Sequence, residues 1–410
     1  MSQLLVAQRA LTVPGWAKDA LWRSARAVPS LDLRFADNKS LADAVTGASL
    51  ITFTRASDGT FVDSAGVLQT AAIDVPRFDH NPTTGESLGL LVEEPRTNLL
   101  LWSEDFSNVA WVANSATVTT NTQTAPNGTL TADTFSPTSG TSSLHQIITC
   151  LASTAYTWSF YVKLGTMAAA DFRFAVRDDS NGAFIATDIV PNVTPVTTEW
   201  RRVTYTFTTP VGCVLVRPYL YRIIPATYGT TVHLWGADLQ AGAFPTSYIP
   251  TTTAAVTRSA DVASITGTAF SGWYRQDEGS FFCSTFAPKG TIIYGTGDTF
   301  DNTQYISTGL SSNVTIRSGG ADSAQLTAPV STTGTTNVAH GYAANNFAAV
   351  SNGGTVSADT SGVVPLAQVR LKLGSSAWDT SGGNNINGHI RRLTYWPQRL
   401  PNPTLQSITQ

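Results

Sequence analysis

The stretch Thr157-Trp-Ser-Phe-Tyr-Val-Lys-Leu164 sets Trp158, Phe160, Val162 and Leu164 against Thr157, Ser159, Tyr161 and Lys163. Apolar and polar side chains alternate with period two, the pattern of a strand with one buried face. Phe172, Phe174 and Val176 alternate in the same way with Arg173, Ala175 and Arg177, and Val203, Tyr205 and Phe207 with Arg202, Thr204 and Thr206. Such segments at short spacing predict an antiparallel β-sandwich.

Composition agrees. Charged residues make up 13% of the 410 residues and hydrophobic ones 42%. The charged share is about half that of an ordinary globular domain. The polar surface therefore comes from Thr, Ser, Asn, Gln and Gly, a balance that favours strands over long helices. A chain of this length predicts roughly two to four domains. The net charge of −3 lacks the basic surplus of a nucleic-acid binder. No apolar run is long enough to span a membrane, and no uninterrupted apolar segment marks a signal peptide. Cys150, Cys213 and Cys283 make neither a CxxC nor a zinc spacing. They read as buried free thiols of a chain folded in a reducing cytoplasm.

Toward the N-terminus the character changes. Pro14 and Gly15 precede Trp16-Ala-Lys-Asp-Ala-Leu-Trp-Arg-Ser-Ala-Arg-Ala27, and Pro29 follows. Prolines so placed punctuate a helix, here with Trp16, Ala20 and Ala27 near one face and Leu21 and Ser24 adjoining it. Three readings stay open: the helix packs on its own chain, Trp16, Ala20 and Leu21 anchor it to a partner or sister subunit, or it attaches to a membrane, against which its small apolar face counts. Next come short strands at 31–35 and 51–55, and a two-proline loop at 76–82. Residues 249–255 read as a linker. Beyond them strands are expected at 279–286, 291–294, 303–307, 313–317, 346–351, 369–373 and 389–396, with a turn or short helix at 403–408. The organisation expected is thus an N-terminal helical anchor at 1–30, a small β-rich region at 31–100, and sandwiches at 101–252 and 253–410.

Some phrases are more specific. Gly89-Leu-Leu-Val-Glu-Glu-Pro-Arg-Thr-Asn-Leu-Leu100 leads into Trp102-Ser-Glu-Asp-Phe-Ser-Asn108. Leu234-Trp-Gly-Ala-Asp-Leu-Gln-Ala-Gly-Ala-Phe-Pro-Thr-Ser-Tyr-Ile-Pro-Thr251 is followed by Arg258-Ser-Ala-Asp261, and Gly388-His-Ile-Arg-Arg-Leu-Thr-Tyr-Trp-Pro-Gln-Arg-Leu400 closes the chain. In this order they resemble structural proteins of tailed bacteriophages and prophages, of the tail-fibre or head-fibre type, over residues 31–410. The resemblance implies a jelly roll like a carbohydrate-binding module at 101–252 and a concanavalin-A-like lectin sandwich at 253–410. It also implies a virion location, other virion proteins and further copies of the chain as partners (a trimer is the expected fibre state), and host attachment. Modules of this resemblance often hold a structural calcium, and Asp105 and Asp238 match its usual neighbourhoods.

The residues themselves supply a binding-face hypothesis. If Phe172, Phe174 and Val176 are core, then Arg173 and Arg177 face outward, and by the same parity so do Tyr161 and Arg202. In Cys213-Val-Leu-Val-Arg-Pro-Tyr-Leu-Tyr221, Arg217, Tyr219 and Tyr221 share one face. Tyrosine rings pack on the C–H faces of sugars, and arginines donate to hydroxyls. An equal reading is a subunit interface, where both residue types are enriched. Trp378, beside Asp379-Thr-Ser-Gly-Gly-Asn-Asn385, is either a ligand platform or a cap on the core.

Glycan hydrolysis needs two carboxylates at defined separation. Glu93, Glu94, Glu104, Asp105, Asp277 and Glu278 are the candidates, but no GxSxG, HExxH or P-loop accompanies them. The five histidines are scattered. The expectation is therefore a virion fibre or decoration protein that binds host-surface glycans and is not an enzyme. Its alternatives are a purely architectural virion protein and, third, a glycan-degrading enzyme.

Overall fold

The computed structural model describes residues 15–189, 198–222, 228–289, 292–308, 314–379 and 385–410; the side chains of Trp16 and Arg222 lie outside the description as well. The chain forms two compact units, Phe53–Asp261 and Met1–Thr52 with Val262–Gln410. The first is thus inserted in the sequence of the second. This differs from the expected four-part division: 31–52 fold with the C-terminal sandwich, and 53–100 with the middle one. The reason lies in strand pairing, since Leu31–Leu33 adds to Gly388–Trp396 through Leu31↔Tyr395 and Leu33↔Leu393.

The inserted unit is a jelly-roll sandwich. One sheet runs Arg201–Thr208, Ala155–Leu164, Val232–Ala241, Ala132–Pro137, Ala116–Gln123; the other runs Ala183–Ile189, Phe174–Asp178, Leu215–Arg222, Ser143–His145, Val112–Asn114. All their pairings are antiparallel. Trp158, Phe160, Val162, Phe172, Phe174, Val176, Val203 and Phe207 meet in one core cluster, as the alternation requires.

A buried ion network closes this unit. Arg77 pairs with Glu93 at 2.8 Å and Asp261 at 2.5 Å, and Arg55 reaches Asp261 at 3.1 Å. Arg258 lies 3.6 Å from Glu93 and 3.8 Å from Asp261. All five side chains are buried. Burial alone would raise the Glu93 carboxyl, but Arg258, Arg77 and two bonds from Ser247 outweigh it and hold it at about 2. The supposed linker at 249–255 is also fixed here. Asn98 Nδ2 donates to the Ile249 carbonyl at 2.8 Å, Trp102 N to Thr252 O at 2.9 Å, and Val256–Arg258 pairs with Arg96–Asn98.

The other unit is a second sandwich. Its first sheet orders Ser357–Asp359, Phe347–Ser351, Thr335–Ala343, Glu278–Phe286 and Gly388–Trp396; its second orders Val262–Thr266, Arg370–Leu373, Ile292–Thr299, Asn302–Ser307, Val314–Ser318 and Ala321–Leu326. The terminal helix Asn402–Ile408 and the helix Ala20–Ala25 pack together on the first sheet, where Ala25, Trp396, Leu405 and Ile408 share a cluster with Leu21 against it.

The N-terminal helix is shorter than expected. A 3₁₀ turn covers Gly15–Lys18, and Asp19, in extended conformation, caps Ala20–Ala25 by accepting from Leu21 N and Trp22 N. That cap resets the helical face. Trp22 is buried and donates from Nε1 to Asp32 at 2.9 Å, Leu21 packs on its own chain, and Ala20 is exposed. Leu21 thus follows the first reading, packing on its own chain; Ala20 faces outward, and the Trp16 side chain lies outside the description. Among the described residues, no helix is long and apolar enough to cross a membrane.

Glu93→Gln is expected to destabilise the inserted unit by about 3–5 kcal/mol at pH 7, because it strands buried guanidinium charge. Since the folded carboxyl sits at about 2, below its ordinary value, the stability it contributes is complete above its unfolded pKa and lost as pH falls through about 2. The gap between the two proteins in guanidinium denaturation should therefore narrow from pH 5 downward.

Candidate functional site

On the outer side of the Arg201–Thr208 and Ala155–Leu164 strands lies a groove of about 1000 Å³. Tyr161, Trp200, Arg201 and Arg202 line it, opposite Val62, Leu68 and Pro126. An aromatic cluster backs Tyr161, its Trp235 and Tyr248 rings being buried. Tyr161 meets Trp235 at 5.5 Å and Tyr248 at 6.2 Å between ring centroids, and Trp235 meets Tyr248 at 5.0 Å. Trp200 packs half-buried on the same cluster, with its indole N–H donated to the Thr124 carbonyl at 2.8 Å. Gly236, at φ +62°, permits the close approach: a Cβ there would lie 3.0 Å from the Tyr161 ring. Arg202 lies over Tyr161 at 5.9 Å and donates to Thr246 O and Ser159 Oγ. Burial raises the Tyr161 phenol. Such a groove offers ring faces, backbone carbonyls and hydroxyls to a polyhydroxylated chain. Trp200 escaped the sequence reading, although a tryptophan directly before two arginines and a strand is a usable signal.

The expected single binding face is divided. Tyr161 and Arg202, cross-strand partners, belong to the groove side. Arg177, Arg217 and Tyr219 belong to the other sheet, where Arg177 and Arg217 stand opposite each other and both bind Asp179. Tyr219 is only 7% exposed, covered by Arg217 and packed at a tilt against His145, with ring centroids 4.7 Å apart. Burial and the Arg217 charge push that histidine down to about 4. Arg173 precedes its strand and donates to the adjacent Phe172 carbonyl. Tyr221 is a correction: it is fully buried against Phe135 and Phe172. Leu144 pairs with Tyr221 but His145 with Tyr219, so Leu220 is an extra residue in the ladder. A bulge of this kind reverses the alternation beyond it.

The carboxylates fall into separate settings. Glu93 belongs to the buried network, Glu94 pairs with Arg96, and Asp277 and Glu278 pair with Arg275. Glu104 and Asp105 line a cleft of about 620 Å³ with Trp102 and Asp133, and burial lifts the Asp133 carboxyl to about 6. Asp105 and Asp238 do not fit a shared calcium. Asp105 accepts from Ser107, whereas the fully buried Asp238 accepts from Gln240 and Ile249 N with Arg202 3.7 Å away. Burial lifts Asp238 to about 6, which Arg202 offsets only in part. Among the described residues no cluster of three or more His, Cys, Asp or Glu could hold a metal. Trp378 packs edge-on against Phe300 and Tyr305 at 5.2 and 5.3 Å; residues 380–384 beside it lie outside the description.

No protein-family model matches the chain, and no curated protein matches it. Among solved structures, the neighbours include carbohydrate-binding modules. The CBM22-1 xylan-binding domain of Paenibacillus barcinonensis Xyn10C is 19% identical, with 36% of this chain and 94% of that one covered and a TM-score of 0.28. The Ruminococcus gnavus IT-sialidase CBM40, bound to α2,3-sialyllactose, is 14% identical over 34% and 86%, with a TM-score of 0.27. Domain 4 of AbnA, a GH43 arabinanase from Geobacillus stearothermophilus in complex with arabinotriose, is 16% identical over 41% and 82%, with a TM-score of 0.29. Scores this low carry no functional argument, which rests on the groove itself.

Asp238→Asn tests the calcium assignment. The folded carboxyl titrates near 6, above its ordinary value, so its contribution is present at low pH and lost as pH rises through about 6. The variant should therefore gain on the native protein in Tm between pH 5 and pH 8, and millimolar calcium should shift neither protein.

Proposed function

We propose that the protein binds carbohydrate in the Tyr161–Trp200–Arg202 groove and holds it without cleaving it. The observation that carries the reading is the groove of about 1000 Å³ with Tyr161 and Trp200 among its lining residues. Aromatic side chains bury apolar sugar faces, while Ser, Thr and backbone groups beside them meet hydroxyls. The low charge content of the chain suits a ligand met by rings and neutral polar groups.

We further propose that this binding serves a bacteriophage virion, in which the chain is a fibre or decoration protein that attaches to host-surface polysaccharide. The ordered phrases at 89–108, 234–251 and 388–400 support that assignment.

The test is retention of the purified chain on a panel of bacterial surface polysaccharides, followed by calorimetry with the best ligand. Trp200→Ala should weaken binding by about tenfold, the loss of one stacked ring, with an unchanged circular dichroism spectrum. No reducing ends should appear on prolonged incubation. Binding that Trp200→Ala leaves intact would remove the groove from the proposal, and liberated reducing ends would remove the non-enzymatic reading.

A further inference from the structure

Cys150 and Cys213 lie side by side in the inserted unit, their Sγ atoms 3.7 Å apart. Both belong to the sandwich core cluster. The backbone around them is already paired. Ile148 faces Val216 and Thr149 faces Leu215 in an antiparallel ladder, and Cys150 N donates to the Val214 carbonyl at 2.9 Å. Cys213 N closes a turn onto Pro210 O at 3.2 Å. The neighbouring Leu151, Val211 and Val214 are exposed, so a small oxidant has a short path to the thiols. Cys283 is 1% exposed and sits in the other unit.

We propose that Cys150 and Cys213 are an oxidative modification site, forming an intramolecular disulfide when the folded protein meets a peroxide. A small rotation about each Cα–Cβ bond closes the gap to the roughly 2.05 Å of an S–S bond. The Cys150 sulfur, as thiolate, attacks the peroxide O–O bond, giving a sulfenic acid and hydroxide, which takes up a proton to become water. The Cys213 sulfur then displaces the sulfenic oxygen, which leaves as water. Two thiols and one hydrogen peroxide thus yield one disulfide and two waters. Burial raises both thiols, and Cys150 and Asp178 help to push Cys213 up to about 12. Cys150, the less perturbed, is therefore the first nucleophile, and the reaction is slow at neutral pH. The bond would tie the end of Ile148–Thr149 to the turn before Leu215–Arg222 and enclose the strands between them.

The experiment treats the reduced full-length protein with a slight excess of hydrogen peroxide at pH 8. The result expected is a non-reduced peptide pair containing Cys150 and Cys213, two hydrogens lighter than the separate peptides. Thiols titrated in denaturant should fall from the three of the sequence to one, and Tm should rise by roughly 5–15 °C, reversed by dithiothreitol. Three remaining thiols, or thiol loss without that peptide pair, would overturn the proposal. So would an equal Tm rise in Cys150→Ala, which should show none.

Discussion

The inserted unit depends on one buried contact, the Arg77 guanidinium held between Glu93 and Asp261. Burying these charges costs several kcal/mol per ion, and that cost is repaid only when each is met in good geometry. The structure meets it with three arginines around two carboxylates, helped by the carbonyls of Ala71, Ala72 and Thr60 and by the Ser247 hydroxyl. Asp261 closes it from the far end of the unit, 184 residues from Arg77 and 206 from Arg55. The network therefore joins the start of the unit, at Arg55, to its last residue, Asp261.

The same network positions the groove. Arg77 donates to Thr60 O and Ser247 Oγ. Thr60 donates its hydroxyl to the Tyr248 carbonyl at 2.5 Å, and the Tyr248 ring lies against Trp235 and Tyr161. From buried charge to the Tyr161 ring the path is continuous. This gives physical content to two phrases that stood out in the sequence. Glu93 and Asp261 carry the network, while Trp235, Gly236 and Tyr248 pack behind Tyr161.

Period-two alternation made both sandwiches legible, because a strand with one buried face must alternate. It misplaced residues wherever a local event changed parity or phase. The extra residue at Leu220 turned Tyr221 into the core. The Asp19 cap starts the N-terminal helix at Ala20, so that Trp22 and Ala25 mark its buried side and Ala20 is exposed. Domain boundaries failed for another reason: the partner of Leu31–Leu33 lies at the other end of the chain, and no local pattern reports a pairing that distant. Trp200 and Tyr161 meet across a fold for the same reason, so the groove could be named only in part.

The low charge content acquires a structural meaning from where the charges sit. Arg55, Arg77 and Arg258 are buried among carboxylates, Arg177 and Arg217 neutralise Asp179, and Arg34 and Arg392 close on Asp19 and Asp32. Even Arg202, which borders the groove, donates to Thr246 and Ser159 and lies beside Asp238. Most of these guanidiniums hold segments in place, since a planar fork with several donors fits carboxylates and carbonyls at once. What the groove presents to a ligand is then ring face, hydroxyl and peptide together with the charged groups of Glu199, Arg201 and Arg202. A surface of that kind discriminates by shape and by the direction of hydrogen bonds, while the part of any binding carried by its charged rim is screened by salt.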